Sequence, residues 1–467
     1  MSRRMTSVAV HLLSLAIASG LFSCAPAMRP LSLHPENPHY LLFRDRPTVL
    51  ITSGEHYGAV LNLDFDYVTY LDELQRHDLN LTRTFSGSYC EGWGEGWNTL
   101  NPAQGRYLSP WARSDVPGYA DGGAKFDLDR WDEAYFARLN DFVAQAGQRG
   151  IVVELVLFCV FYGDEQWSLC PLNARNNVNG IGAGGREHVF DESDPAMMAV
   201  QERLVRRLVE SLRDHDNLYF ELCNEPYFDG PGLGSPWNDR ILRIVRQASD
   251  RHLIALNVAN GSQPVERVPD GVSVLNFHYC APPDAVAVNQ RHPAVVAYDE
   301  SGFAGSGGEV YRRHAWDFLL EGGAVFSNLD YSFTVESPQG RSTAADDKLG
   351  STDPELRPHL QQLRRFLERF DLVRLRPDNA VIRGSLPDNA TARILAEPGR
   401  QYAVYINGGT RADLQLELPR GRYSAEWVDP RTGRVTGQET LEHPGGVATL
   451  HSPVYDGDVA LALRVLP

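Results

Sequence analysis

Two stretches of this sequence end a run of strand-forming residues on a carboxylate. In YFELCNEPY, Tyr219 to Tyr227, the apolar run stops at Asn224, Glu225 and Pro226. Proline cannot donate to a sheet ladder, so the strand ends there and presents Asn224 and Glu225 at the mouth of its sheet. A second buried run, Val295 to Tyr298, closes on Asp299, Glu300, Ser301 and Gly302. Two carboxyl groups brought to one mouth can divide proton donation and nucleophilic or base work between them. Two strand-like runs lie between these stretches, so they fit the fourth and seventh strands of an eightfold barrel. Enzymes of that fold place catalytic groups at the carboxyl ends of the strands. Arg83 lies within the apolar run Leu79 to Phe85. A buried guanidinium is costly unless paired, so it is expected to meet a carboxylate inside the barrel.

With Asn224 and Glu225 ending one strand, Glu300 ending another and Arg83 on the second, residues 31–375 resemble the retaining glycoside hydrolases of clan A, the family 5 type included. The resemblance implies a (β/α)8 TIM barrel in which Glu225 is the acid/base and Glu300 the nucleophile. It implies that Arg83 orients the nucleophile and that Asn224 binds the sugar 2-hydroxyl. His278 and Tyr279 would line the subsite beside the nucleophile, although the family's usual pattern separates them by one residue. Tyr331 or Phe333 would replace the tryptophan many relatives carry after strand eight. Asp299 rivals Glu300, but a strand alternates its faces, so only one neighbour can point into the cleft. The family pattern selects Glu300. The implied reaction is double displacement on a β-linked poly- or oligosaccharide, with the carboxyl groups about 5–5.5 Å apart. Glu225 would be raised in pKa by apolar walls and its partner carboxylate, and Glu300 kept ionised by Arg83 and a tyrosine hydroxyl. Two alternatives remain open: an inactive saccharide-binding lipoprotein, and a transglycosylase using the same site.

The elements that must position these groups are legible as alternating strands and helices. Strand one is expected at Thr48 to Ser53, with His56 at its mouth, and strand three at Ile151 to Phe158. Strands five, six and eight are expected at Leu253 to Val258, Val272 to Phe277 and Gly323 to Leu329. Helical periodicity marks Phe65 to His77, Trp131 to Arg149 and Asp194 to Asp214. A long connection from Phe85 to Asp129 carries Trp93 and Trp97, flat faces suited to sugar rings. Trp167 and the Asn-rich segment holding Asn177 lie in the next connection and are candidates for hydroxyl recognition.

The chain has 467 residues, enough for a barrel of about 250 residues and a smaller domain. Its net charge of -16 argues against nucleic acid as a partner. Short β-rich runs after Val381, punctuated by turns such as Asp429 to Gly433, predict a small all-β antiparallel sandwich over residues 376–467. Its aromatics are few, which favours a structural buttress over a binding module. Residues 1–30 read as a signal segment, with Arg3 and Arg4 before the apolar run Val8 to Phe22. Leu21 to Cys24 resembles a lipobox, and Ala25 to Ala27 offers ordinary cleavage. The protein is therefore expected to be exported, as a secreted or periplasmic monomer or an outer-membrane lipoprotein whose membrane contact is a lipid on Cys24. Apart from Cys24, an odd number of cysteines remains, so a disulfide framework is not required. No zinc spacing, HExxH or calcium-loop pattern occurs, and neither metal nor cofactor is expected.

Overall fold

The computed structural model describes residues 29–93, 97–228, 230–343 and 349–467, so residues 1–28 of the expected signal segment, Cys24 among them, lie outside the described residues. Eight strands form one sheet: β1 Leu50–Gly54, β2 Leu81–Phe85, β3 Val152–Cys159, β4 Leu218–Asn224, β5 Ile254–Asn260, β6 Val274–His278, β7 Val295–Ser301 and β8 Val325–Leu329. The order is β1-β8-β7-β6-β5-β4-β3-β2, with every pairing parallel. This is the expected TIM-type barrel. Parallel strands are covered on both faces, which explains why they read as near-continuous apolar runs.

The seam between β1 and β2 is bridged at its start by the Asn80 side chain, beside a backbone bond from the Asn80 N–H to the Ile51 carbonyl. Buried Asn80 accepts from the Ile51 N–H at 2.8 Å and donates to the Val49 carbonyl at 2.9 Å, doing with its amide what a ladder does elsewhere. Asn80→Ala leaves a buried donor and acceptor unpaired. It is expected to cost about 1–3 kcal/mol, read as a lower denaturant midpoint at unchanged slope.

Helices follow most strands where periodicity places them. Tyr67–Arg76 and Pro195–Leu212 start on the capping carboxylates of Asp66 and Asp194. The helix expected from Trp131 begins instead at Glu133, because Trp131 closes a hairpin against Trp111. That hairpin, Trp111–Pro117 with Ala124–Trp131, gives the long β2 connection its own structure. Gly150 ends the second helix at φ +72, a conformation that favours glycine. Between β5 and β6 there is no helix among the described residues.

The carboxyl-terminal part forms a six-stranded and a three-stranded antiparallel sheet around their own apolar core. Its other face joins the barrel's core through Leu395, Tyr405 and Ala460. Trp316, on the helix Gly308–Leu320, stacks on Tyr405 with ring centroids 5.2 Å apart, and buried Arg312 on the same helix pairs with Asp458. The cysteines at 90, 159, 170, 223 and 280 are all free and buried.

Candidate active site

The carboxyl ends of β2, β4, β6 and β7 converge on a cavity of about 320 Å³. Glu225 and Glu300 both line it, and a carboxylate oxygen of each lies within 4.8 Å of the other and of a His278 ring nitrogen. Arg83 organises the floor. Its guanidinium donates to Glu300 at 2.7 Å, Glu221 at 2.9 Å and the Asn224 side-chain oxygen at 2.6 Å, and Nε lies 3.1 Å from Asp299. The carboxylate expected beside Arg83 is thus a group of them. Asn224, its oxygen taken by Arg83, points Nδ2 toward the Tyr162 hydroxyl at 3.0 Å.

Backbone irregularities bring neighbouring side chains to one place. The β6–β7 register skips a residue at Asp299, pairing Phe277 with Tyr298 but His278 with Glu300. Strict alternation of faces therefore fails here. Asp299 and Glu300 both point inward, Asp299 buried in the interior and Glu300 above it at the mouth. Tyr279 adopts φ +49, so it and His278 both reach the site although adjacent. The Tyr279 hydroxyl donates to Glu300 at 2.7 Å. Glu225 itself has φ +47, and Phe303 on the rim has φ +57.

The electrostatics differ from expectation. Burial pushes the Glu225 carboxyl up, but the hydrogen bond and charge of His278 and the Tyr162 hydroxyl outweigh it and hold Glu225 below its ordinary value. Burial keeps Glu300 above its ordinary value despite the pull of His278 and Arg83. The expected split, with Glu225 raised, is reversed in the free site: His278 and Tyr162 outweigh burial at Glu225, whereas burial and the neighbouring carboxylates Glu225 and Asp299 outweigh His278 at Glu300. His278 Nδ1 is 3.2 Å from a carboxylate oxygen of each. Burial opposes charge on His278, but Glu300 and Asp299 hold it protonated well above the usual histidine range. His56 is neutral, since burial and then the Arg83 charge press it down to about 3. Glu221 is pushed up to about 7 by burial.

Two groups, Glu225–His278–Glu300 and Glu154–Glu221–Asp299, bring ligand-type atoms within 4.8 Å of one another. Arg83 sits within 4 Å of each carboxylate of the second group, and His278 is itself the cation of the first. The positive charge these groups call for is already supplied by side chains.

Of the remaining expected binding residues, His56, Trp97 and Tyr331 line the cavity. Trp93, Trp167 and Asn177 do not. Trp93 packs within the insert against Tyr107 and Tyr119, and Trp167 is buried against Phe161. The Asn177 amide donates to the carbonyls of Pro171, Asn173 and Ile181, pinning its own loop. Phe333 is buried on Tyr70, leaving Tyr331 as the ring after β8 that faces the cavity. Sequence reasoning missed Tyr162, Phe228 and Phe303 as contributors, and it weighed Asp299 only as a rival to Glu300 that alternation would turn away. It also missed Glu154 and Glu221, whose signal was a carboxylate in the middle of an apolar strand. The large aromatic side chains left exposed among the described residues are Trp97, Tyr162, Phe228 and Phe303, and all four line this one cavity.

Residues 112–326 match the family model of cellulase, glycosyl hydrolase family 5. The match begins in the hairpin that follows β2 and ends in β8, so it falls on the barrel. The protein is accordingly an O-glycosyl hydrolase with a carbohydrate substrate. Solved structures share the architecture across nearly the whole chain. A glycoside hydrolase family 5 structure from Bacteroides vulgatus matches at 14% identity and TM-score 0.65, covering 93% of each chain. A second protein from that organism, provisionally assigned as a glycoside hydrolase, matches at 14% identity and TM-score 0.67, over 94% of this chain and 83% of its own. A further glycoside hydrolase matches at 13% identity and TM-score 0.62, over 94% of this chain and 97% of its own. At such identities the likeness speaks for the fold alone. No curated protein matches this chain.

Proposed function

We propose that this hydrolase acts with retention of anomeric configuration on a β-linked oligo- or polysaccharide. The observation that carries the reading is the spacing of the two glutamates, with oxygens within 4.8 Å. That suits a nucleophile and its acid/base partner rather than the wider gap, about 6.5–9.5 Å, that admits a water in inverting enzymes. Glu225 protonates the leaving oxygen while Glu300 attacks the anomeric carbon, so one carbon–oxygen bond forms as the other breaks. Glu225, now a carboxylate, takes a proton from the incoming water, which releases the sugar and restores Glu300.

The exposed aromatics fall on both sides of this pair. Phe303 packs on Tyr279 and reaches Trp97 on the Glu300 side, while Tyr162 and Phe228 stand together beside Glu225. Sugar rings on either side of the broken bond thus have an apolar wall, which favours a chain over a lone monosaccharide. An exported protein, as the first thirty residues suggest, would meet such chains outside the cell.

Proton NMR of the first turnovers on a β-linked substrate tests the reading. The β-anomer is expected to appear first and to mutarotate only later, and a 2-fluoro glycoside is expected to label the peptide bearing Glu300. An α-anomer as first product would overturn it.

A further inference from the structure

Asp299 has no part in the reaction just described, yet it is fully buried directly beneath the two glutamates. The geometry points to Asp299 as a positioning residue that, through His278, sets the pH at which the site loses its catalytic proton. The inference rests on the reading of Glu225 as the acid/base.

The bulge in β7 places Asp299 against both buried cations. Its carboxylate lies 3.1 Å from Arg83 Nε and 3.2 Å from His278 Nε2. The other His278 nitrogen faces the catalytic pair, 3.2 Å from Glu225 and 3.2 Å from Glu300. An imidazole with carboxylates at both nitrogens is favoured in its charged form. When the proton on Nδ1 passes to Glu225, the imidazolium becomes neutral and the carboxylate becomes an acid, with no change in net charge. His278 and Glu225 therefore hold one proton as a unit, and its loss belongs to both. A negative charge on Asp299 raises the unit's affinity for that proton whichever atom carries it.

The other groups facing this cluster are Arg83 on β2, Glu154 on β3, Glu221 on β4, Glu300 on β7, His56 after β1, the hydroxyls of Tyr162, Tyr219, Tyr227 and Tyr279, and the Cys280 thiol. Arg83 opposes protonation and the remaining carboxylates favour it. All of them persist when residue 299 alone is changed.

Asp299→Asn keeps the side chain's shape and removes its charge. Profiles of kcat/KM against pH are to be measured for the wild type, D299N, H278Q and the double variant. The alkaline limb of D299N is expected about one pH unit below that of the wild type, the lower end of what one nearby charge does. In the H278Q background the same change is expected to move the limb much less. A uniform loss of activity with both limbs in place marks a structural role and overturns the inference, as does an equal shift with His278 replaced. If D299N does not fold, nitrogen-15 NMR of the wild-type histidines decides instead. The His278 ring-nitrogen shifts must change through the alkaline limb, as the shared proton leaves, and shifts that stay flat across that limb overturn the inference. Wild-type turnover that survives Glu225→Gln would instead strike at the acid/base assignment, leaving the Asp299 question separate.

Discussion

Glu300→Gln is expected to lower kcat by at least about 10⁴-fold while leaving the protein folded. Losses of this size accompany removal of a covalent nucleophile when binding and the rest of the site survive. The amide has the same shape: its oxygen can still accept from Arg83, which lies 2.7 Å from one carboxylate oxygen, while its NH2 faces the Tyr279 hydroxyl, 2.7 Å from the other, which can turn to accept. Arg83 also keeps Glu221 and Asp299, so the barrel interior stays charge-balanced. Shortening the residue to alanine opens room for a small anion, and azide is expected to restore turnover of an activated aryl glycoside with a glycosyl azide as product. Residual activity within tenfold of wild type in the glutamine variant, together with no azide adduct, would remove Glu300 from the nucleophile's role and return attention to Asp299. Glu225→Gln serves as the companion. Its loss is expected to be large for poor leaving groups and smaller for aryl glycosides that depart without a proton.

Arg83→Met is expected to destabilise the fold as well as abolish turnover. The guanidinium is fully buried and holds Glu221, Asp299 and Glu300 together with the Asn224 amide. Removing one partner of a buried ion pair typically costs about 3–5 kcal/mol, because the opposite charge is stranded. The pH dependence of this loss has a definite sign. Without the guanidinium the carboxyl groups hold their protons to higher pH when folded than when unfolded. Their contribution is then fully present below the unfolded value, about 4.3 for Glu and 3.9 for Asp, and is lost as pH rises through the folded value. Glu221 stands at about 7 even with Arg83 beside it. The deficit relative to wild type, from denaturant unfolding at pH 5 and pH 8, is therefore expected to be larger at pH 8. Equal deficits would mean that Arg83 contributes packing and hydrogen bonds but little charge.

The strands and the two glutamates were legible because their signals are local. An apolar run and a proline stop define β4, and a run ending in acidic residues defines β7. Arg83 was legible for a different reason: a charge in an apolar strand demands a partner. The same reasoning applied to Glu154 and Glu221 finds those partners, since each also stands mid-strand. What could not be read was the residue skipped at Asp299. The alternation argument treats a strand as regular, and whether a strand bulges depends on its neighbour, here β6. The aromatics show the same limit. Trp93, Trp97 and Trp167 look alike in sequence, yet only Trp97 faces the cavity, because the hairpin and loop packing around the others consume their surfaces. Tyr162 had no signal of its own, as it follows β3 in a stretch without periodicity.

Glu225, Tyr279 and Phe303 share the left-handed backbone region that favours glycine and asparagine, and all three line the cavity. Such conformations cost of order 1–3 kcal/mol each for other residues. Glycine at any of the three would relax the chain but remove, in turn, the carboxyl, the hydroxyl on Glu300, or the aromatic rim. Thermostability screening that scores folding alone is therefore drawn toward these positions, and each gain there trades away the chemistry for which the turn was shaped.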